Sequence, residues 1–271
     1  MNNIKAAVAI RRADRFSPNN IDNDLLILKA VVEKMERRLG ITIPVIEETD
    51  FSDNPIEADL YLSMAREPRT LAILSGKELE GRRVINPTAG VRLCSHRALL
   101  DTLTRQWGIH MPPTEGCHGY WLKRGDSVTQ TFTDVVYCPD EAALQKMNIA
   151  FQRRGIKETV VSTHIVGDVI KFYGVGDEMF HYYYSNENGI SKFGNEKING
   201  KPHHYPFDAD ALRREVQKLS RHTTVAVFGG DAIIDKDGNY YIIDFNDWPT
   251  FSNCREEAAE AIANLAYNGN I

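Results

Sequence analysis

GGDAIIDKDGNYYIIDFNDWPTF, residues 229–251, carries apolar runs on either side of Asp237-Gly238, the dipeptide that a two-residue type I′ turn prefers because both central positions take positive φ. Two antiparallel strands joined as a hairpin are expected. With that dipeptide at the tip, Ile233 falls opposite Ile242 and Asp231 opposite Asp244, and Asn246 shares the face of Asp244. Carboxylates directly across an antiparallel pair have Cβ atoms about 4.5–5.5 Å apart. Unit charges at that range repel by about 4 kcal/mol at an effective dielectric of 20. A divalent cation offsets such repulsion. A hard one such as Mg²⁺ takes two carboxylates and an amide oxygen and completes its shell with water and a polyphosphate. Asp231, Asp244 and Asn246 are therefore the candidate metal ligands, against the alternative that these acids mark solvent-exposed strand ends. Asp235 and Asp237 read as turn chemistry, because the string lacks the spacing of an EF-hand loop.

Working outward, residues 4–10 form an apolar strand, and Asp22 is expected to cap a helix whose Leu25, Leu28, Val32, Met35 and Leu39 keep helical spacing until Gly40. Short strands at 43–46 and 60–64, a helix at 67–79 and an extended VINP at 84–87 complete an α/β domain over 1–93. Ser95 is expected to cap the next helix, with Leu99, Leu100, Leu103 and Trp107 inward and Gly108 at its end, before Pro112-Pro113 forbids continuation. This linker helix and a small subdomain of strands YWLKR and VTQTFTDVVY, with a helix from Asp140 to Gly155, make up 94–160. The remainder, 161–271, reads as strands through 185, a helix at 208–221, the hairpin and a final helix at about 254–267.

The 271 residues are 42% apolar and 25% charged, which describes a folded globular chain with a full core. Thirty-two Lys and Arg against 37 Asp and Glu give a net charge of −5, without the basic footprint of a nucleic-acid binder. No apolar run approaches the roughly 18 residues of a membrane span, and the N-terminus does not read as a secretory leader, so a cytoplasmic protein with no membrane partner is expected. The cysteines at 94, 117, 138 and 254 form no CxxC pair and read as reduced thiols. The RGD tripeptide at 124–126 would suit an adhesion role only in an extracellular protein, which nothing else in the chain supports.

The acid, the DG-bearing hairpin and the acid-x-Asn at the end of its second strand resemble the metal-binding pattern of the ATP-grasp superfamily. The likeness extends to the N-terminal α/β domain, the helix leading into GIHMPP at 108–113, the YWLK strand and the strand-linker-strand at 158–173. VVSTHIVGDVIKFYGV at 160–175 is also similar to bacterial glutamate ligases, glutathione synthetases and inositol phosphate kinases of that superfamily. The resemblance implies an α/β and α+β protein with an ATP-grasp fold: an N-terminal α/β domain and two α+β subdomains enclosing ATP. It implies ATP and Mg²⁺, with Mn²⁺ as an alternative. Residue by residue, Lys123 and Lys171 match the catalytic, phosphate-facing lysines, and Arg97 falls where a further basic residue is usual. Thr163 and Ile165 match the linker positions that offer adenine a carbonyl and an N–H, and Asp168 lies near the ribose-binding acid. Asp231, Asp244 and Asn246 match the metal ligands. Two departures stand out: the loop after Lys123 is RGDS with one glycine, Gly125, where relatives have several, and Ser162 stands where a Glu often meets the adenine amino group.

The activity so implied is ligation of a small or peptide-like acid to an amine through an acyl phosphate. A small-molecule kinase and a non-catalytic ATP-binding module are the alternatives. Arg11, Arg12 and Arg66 follow strands of the first domain, at the edge where open α/β sheets bind ligands, and would suit an anionic substrate, or they are solvated surface arginines. KPHHY at 201–205 is a further candidate acceptor loop. His164 reads as a packed or surface imidazole. The identity of both substrates and the oligomeric state stay open.

Overall fold

A computed structural model describes residues 4–17, 20–127, 131–185 and 198–269. Ala7–Arg11 (β1) and Leu60–Ser63 (β3) carry buried side chains on both faces, as strands of a parallel sheet covered on two sides must. With Val45–Glu47 (β2) and Arg83–Ile85 (β4) they form a parallel sheet in the order β2-β1-β3-β4. Ile21–Leu39 (α1), Glu48–Asp53 (α2) and Pro68–Leu79 (α3) are its connections. α1 ends at Gly40 as expected, but Asn20 rather than Asp22 occupies its N-cap position.

Where one helix was expected from Ser95, the chain makes two, Thr88–Ser95 (α4) and Arg97–Gln106 (α5). Ser95 closes the first by donating from Oγ to the Val91 carbonyl (2.8 Å). His96 caps the second, its Nδ1 accepting from the Leu99 amide (3.3 Å). Leu99 is thereby turned outward, 47% exposed, while Leu100 is buried.

Tyr120–Arg124 (β5), Val135–Cys138 (β6) and Thr159–Thr163 (β7) form an antiparallel sheet in the order β6-β5-β7, packed on Glu141–Arg153 (α6) through Leu122, Cys138 and Phe151. The strand expected from residue 128 begins only at Val135. Phe132–Asp134 is a single 3₁₀ turn held by a Thr131–Asp134 capping box, and residues 128–130 of that expectation lie outside the described residues. β7 straddles the expected border at 160/161 and pairs with β5.

Gly167–Val175 (β8), Met179–Tyr184 (β9), Val227–Asp235 (β10) and Tyr240–Asp247 (β11) form the large antiparallel sheet, ordered β11-β10-β8-β9. Ala209–Thr223 (α7) covers one face with Leu212 and Val216 against Phe172 and Phe228. Arg255–Asn268 (α8) covers the other and shares a core with α1, so that Ile27, Val31, Val175 and Ile262 belong to one apolar cluster. The first domain is thus fused to the large sheet. Asn86 reinforces the joint, donating from Nδ2 to the Val227 carbonyl (2.7 Å) and accepting from the Val227 amide (2.8 Å), and the Trp248 indole donates to the Ile85 carbonyl (2.9 Å). Among the described residues no helix is long and apolar enough to cross a membrane.

Candidate active site

The hairpin brings Asp231 directly opposite Asp244, although not by the route the turn dipeptide suggested. Three residues, Lys236 to Gly238, form the loop: Asp235 accepts at its carbonyl from Gly238 (3.1 Å), and its amide donates to Asn239 (2.9 Å). Gly238 takes φ +81°, the left-handed residue that ends such a loop. The outer register therefore slips by one, pairing Ala232 with Ile242 and Ile233 with Tyr241 instead of Ile233 with Ile242. A β-bulge at Ile243 takes up the extra residue and restores Asp231 to Asp244. The next pair places Gly230 against Phe245, where a Cβ on residue 230 would lie 2.1 Å from the Asp244 carbonyl oxygen. Only glycine allows that approach.

The bulge also exposes the carbonyl of Ile243, and Lys123 of β5 donates to it from Nζ (2.8 Å). Lys171, in register with Asp231 on the neighbouring β8, donates to its Oδ1 (2.9 Å). Arg97, the first residue of α5, donates to the Arg124 carbonyl (2.9 Å) and holds a second nitrogen 3.9 Å from Asp244 Oδ1. Asn246 Nδ2 donates to Asp244 Oδ2 (2.9 Å). Two carboxylates are thus surrounded by three cations of the chain itself, and that arrangement already offsets the repulsion between the acids. Burial pushes the Lys123 ammonium below its ordinary value, against the pull of Asp244, with Arg97 adding to the fall. Burial alone would raise the Asp244 carboxyl, yet Arg97, Lys123, the Asn246 amide and Lys171 together hold it below the usual carboxylate range.

These groups lie in a cleft of about 390 Å³ between the two antiparallel sheets and the edge of the first domain. Lys123, Lys171, Arg97, Thr163, Asp231, Asp244 and Asn246 all line it. The Thr163 amide donates to the Pro113 carbonyl (2.8 Å), and its side chain packs on Gly116, where an added Cβ would come within 2.8 Å of Thr163 Cγ2. The Ile165 carbonyl accepts from Asn199 Nδ2 (3.3 Å). Asp168, expected near the ribose, has both carboxylate oxygens engaged by the chain itself. It is buried and accepts from the amides of His203 (2.7 Å) and Tyr205 (2.9 Å), so it fastens loop 201–205, none of which lines the cleft. The single lid glycine, Gly125, has its amide on the Glu158 carbonyl (2.8 Å) and its carbonyl on the Ala98 amide (3.0 Å).

At the first-domain end, the three arginines separate. Arg11, expected beside Arg66 at the substrate, pairs with Asp14 (2.6 Å) and Glu47 (3.1 Å) and does not line the cleft. Arg12 and Arg66 do line it, both largely buried. Arg12 pairs with Asp24 (3.2 Å) and donates to the Trp248 carbonyl (2.5 Å), and Arg66 pairs with Asp247 (2.5 Å). Glu48 builds this edge by accepting from the amides of Ala13 (2.6 Å), Arg66 (2.7 Å) and Glu67 (2.7 Å), which ties the loop after β1 to the loop after β3. Burial raises its carboxyl despite those donors.

Asp24, Glu48, Asp247, Trp121 and Asn199 went unnoticed in the sequence. Asp247 alone had a signal there, as the neighbour of Asn246. Trp121 donates its indole N–H to His164 Nδ1 (3.1 Å), and burial, with His118 adding, keeps the His164 imidazole below its ordinary value, as a packed ring should be.

Among the described residues no group of three or more His, Cys, Asp or Glu could hold a metal. The set of two carboxylates and one amide is nonetheless all oxygen, which fits a hard cation that also binds phosphate oxygens and not a soft metal in a closed protein cage.

No protein-family model matches the chain, and no curated protein does. Solved structures match along nearly its whole length. The RimK domain protein ATP-grasp from Sphaerobacter thermophilus is 16% identical, with a TM-score of 0.66 over 97% of this chain and 100% of that one. The D-alanine-D-alanine ligase from Coxiella burnetii is 10% identical, with a TM-score of 0.65 over 98% and 96%. The ATP-grasp ligase PsnB, solved with a minimal precursor, is 13% identical, with a TM-score of 0.59 over 95% and 98%. At such identities the likeness speaks to architecture, and on that ground this chain has the ATP-grasp fold.

Proposed function

We propose that this protein is an ATP- and Mg²⁺-dependent carboxylate-amine ligase acting on an amino acid or peptide-like acid. The observation that carries the reading is the cluster of Lys123, Lys171 and Arg97 around Asp231 and Asp244 at the floor of one cleft. Three cations against two acids leave a net positive charge, which suits a polyphosphate accompanied by a metal. Asp231, Asp244 and Asn246 would hold Mg²⁺, which when bound supplies a divalent charge against the triphosphate.

In the first step an oxygen of the acid attacks the γ-phosphorus and the bond to the ADP oxygen breaks, giving an acyl phosphate. Lys123, Lys171 and Arg97 stabilise charge as it moves between the phosphate oxygens, and no side-chain nucleophile takes part. In the second step the amine attacks the acyl carbon, inorganic phosphate leaves, and the nitrogen releases a proton to solvent. Arg12 and Arg66 with Asp24 and Asp247 give the far end of the cleft both signs of charge, and this supports a substrate carrying both an ammonium and a carboxylate.

The test is ADP release across a panel of amino acids, dipeptides and polyols, with hydroxylamine present to trap acyl phosphate as hydroxamate. An amino acid or peptide should release ADP and yield hydroxamate, and Asp244→Ala should abolish both. Accumulation of a stable phosphate ester from a polyol would contradict the ligase reading.

A further inference from the structure

Asn199 carries a buried carboxamide oxygen that has no hydrogen-bond partner among the described residues, in a side chain that lines the cleft. Its orientation is fixed. Nδ2 donates to the Ile165 carbonyl (3.3 Å), and flipping the amide would set oxygen against oxygen, so the acceptor end must face away from the linker. The cleft that Asn199 lines also has apolar walls, with Val135, Val169 and Ile233 among its residues, and Ser162 of β7 lines it too. A flat, largely apolar group with one hydrogen-bond donor at its edge would complete this slot. A buried acceptor left without a donor costs roughly 1–3 kcal/mol, so an arrangement that holds one there in the free protein implies a ligand that supplies the donor.

We infer that Asn199 is a specificity-determining residue for the nucleobase: its Oδ1 accepts from the exocyclic amine of adenine. This inference rests on the ATP-dependent reading above. It also explains how the chain manages with Ser162 where relatives carry a Glu, since an acceptor reaches the base from loop 198–200 instead of from the linker. Guanine presents a carbonyl oxygen at the equivalent ring position and would meet Asn199 acceptor to acceptor. A purine with hydrogen there leaves the oxygen unsatisfied.

The experiment is calorimetric titration of the full chain, with Mg²⁺, by ATP, GTP and purine riboside triphosphate, which lacks the exocyclic amine. The wild-type protein should bind ATP about tenfold more tightly than purine riboside triphosphate and should discriminate against GTP at least as strongly. In Asn199→Leu the ratio of ATP to purine riboside triphosphate affinity should fall to about one. Equal wild-type affinities for ATP and purine riboside triphosphate would overturn the role of Asn199 while leaving the ligase reading standing, as would an unchanged ratio in the variant. Failure of all three nucleotides to bind the wild type would overturn both.

Discussion

Lys123 joins the two sheets at one atom, because its ammonium sits on the carbonyl that the Ile243 bulge releases. A buried cation with a lowered pKa loses its charge earlier than a surface lysine as pH rises. Nucleotide binding would favour the charged form, so ATP affinity should fall as pH rises through a value below the ordinary 10.5. Lys123→Arg should remove that alkaline limb, as titration at several pH values would show, and Lys123→Met should lower kcat/KM for ADP release by about 10²-fold or more. Asp244 has the opposite sign. Its carboxyl is held below 3.8, so its contribution to stability is complete above that value and is lost as pH falls through the lowered one. At this scale the sequence was legible where hairpin register sets the face, as for Asp231 and Asp244, and where a family resemblance pointed to the position, as for Lys123 and Lys171. It was silent on partners that come from other elements. Nothing near Asp168 announces that the amides of residues 203 and 205 will occupy its oxygens, and nothing in the sequence separates Arg11, which pairs with Glu47, from Arg12, which pairs with Asp24.

Among the elements, the hairpin shows how a correct pairing can rest on two compensating departures. The three-residue loop shifts the register one way, and the bulge at Ile243 shifts it back. Asp-Gly was a sound turn signal, yet the dipeptide alone does not distinguish a two-residue loop from a three-residue loop that ends on a left-handed glycine. Gly238 is the residue that commits the choice. It holds φ +81°, and a Cβ there would lie 2.7 Å from the Pro206 carbonyl oxygen. Gly238→Ala should therefore destabilise the protein by about 2 kcal/mol in a urea titration. A change within a few tenths would show that the loop relaxes freely. Helices with plain periodicity and a glycine stop, such as α1, were readable to within two residues. The break at His96 was not, because an imidazole cap carries a weaker sequence signal than the Ser95 beside it.

For the molecule as a whole, the feature least visible beforehand is the joint between the first domain and the large sheet. Asn86 and Val227 are 141 residues apart and exchange two hydrogen bonds in a buried setting, and Arg12 reaches the Trp248 carbonyl across 236 residues. Contacts at such separations leave no periodic trace, whereas the order of elements, which gives the architecture, does. Removing the Asn86 carboxamide strands the amide of Val227, whose carbonyl keeps the Trp248 amide as a donor, so Asn86→Ala should cost about 2 kcal/mol of stability by chemical denaturation. If this joint positions the acceptor end of the cleft, KM for the acid should rise in the same variant. The central claim is that Asp231 and Asp244, framed by three cations, receive a magnesium triphosphate. Calorimetric binding of ATP with and without Mg²⁺, to wild type and to Asp244→Asn, tests it most directly. Mg²⁺ should tighten ATP binding about tenfold or more in the wild type and have little effect in the variant, whereas the same Mg²⁺ dependence in both proteins would contradict the account.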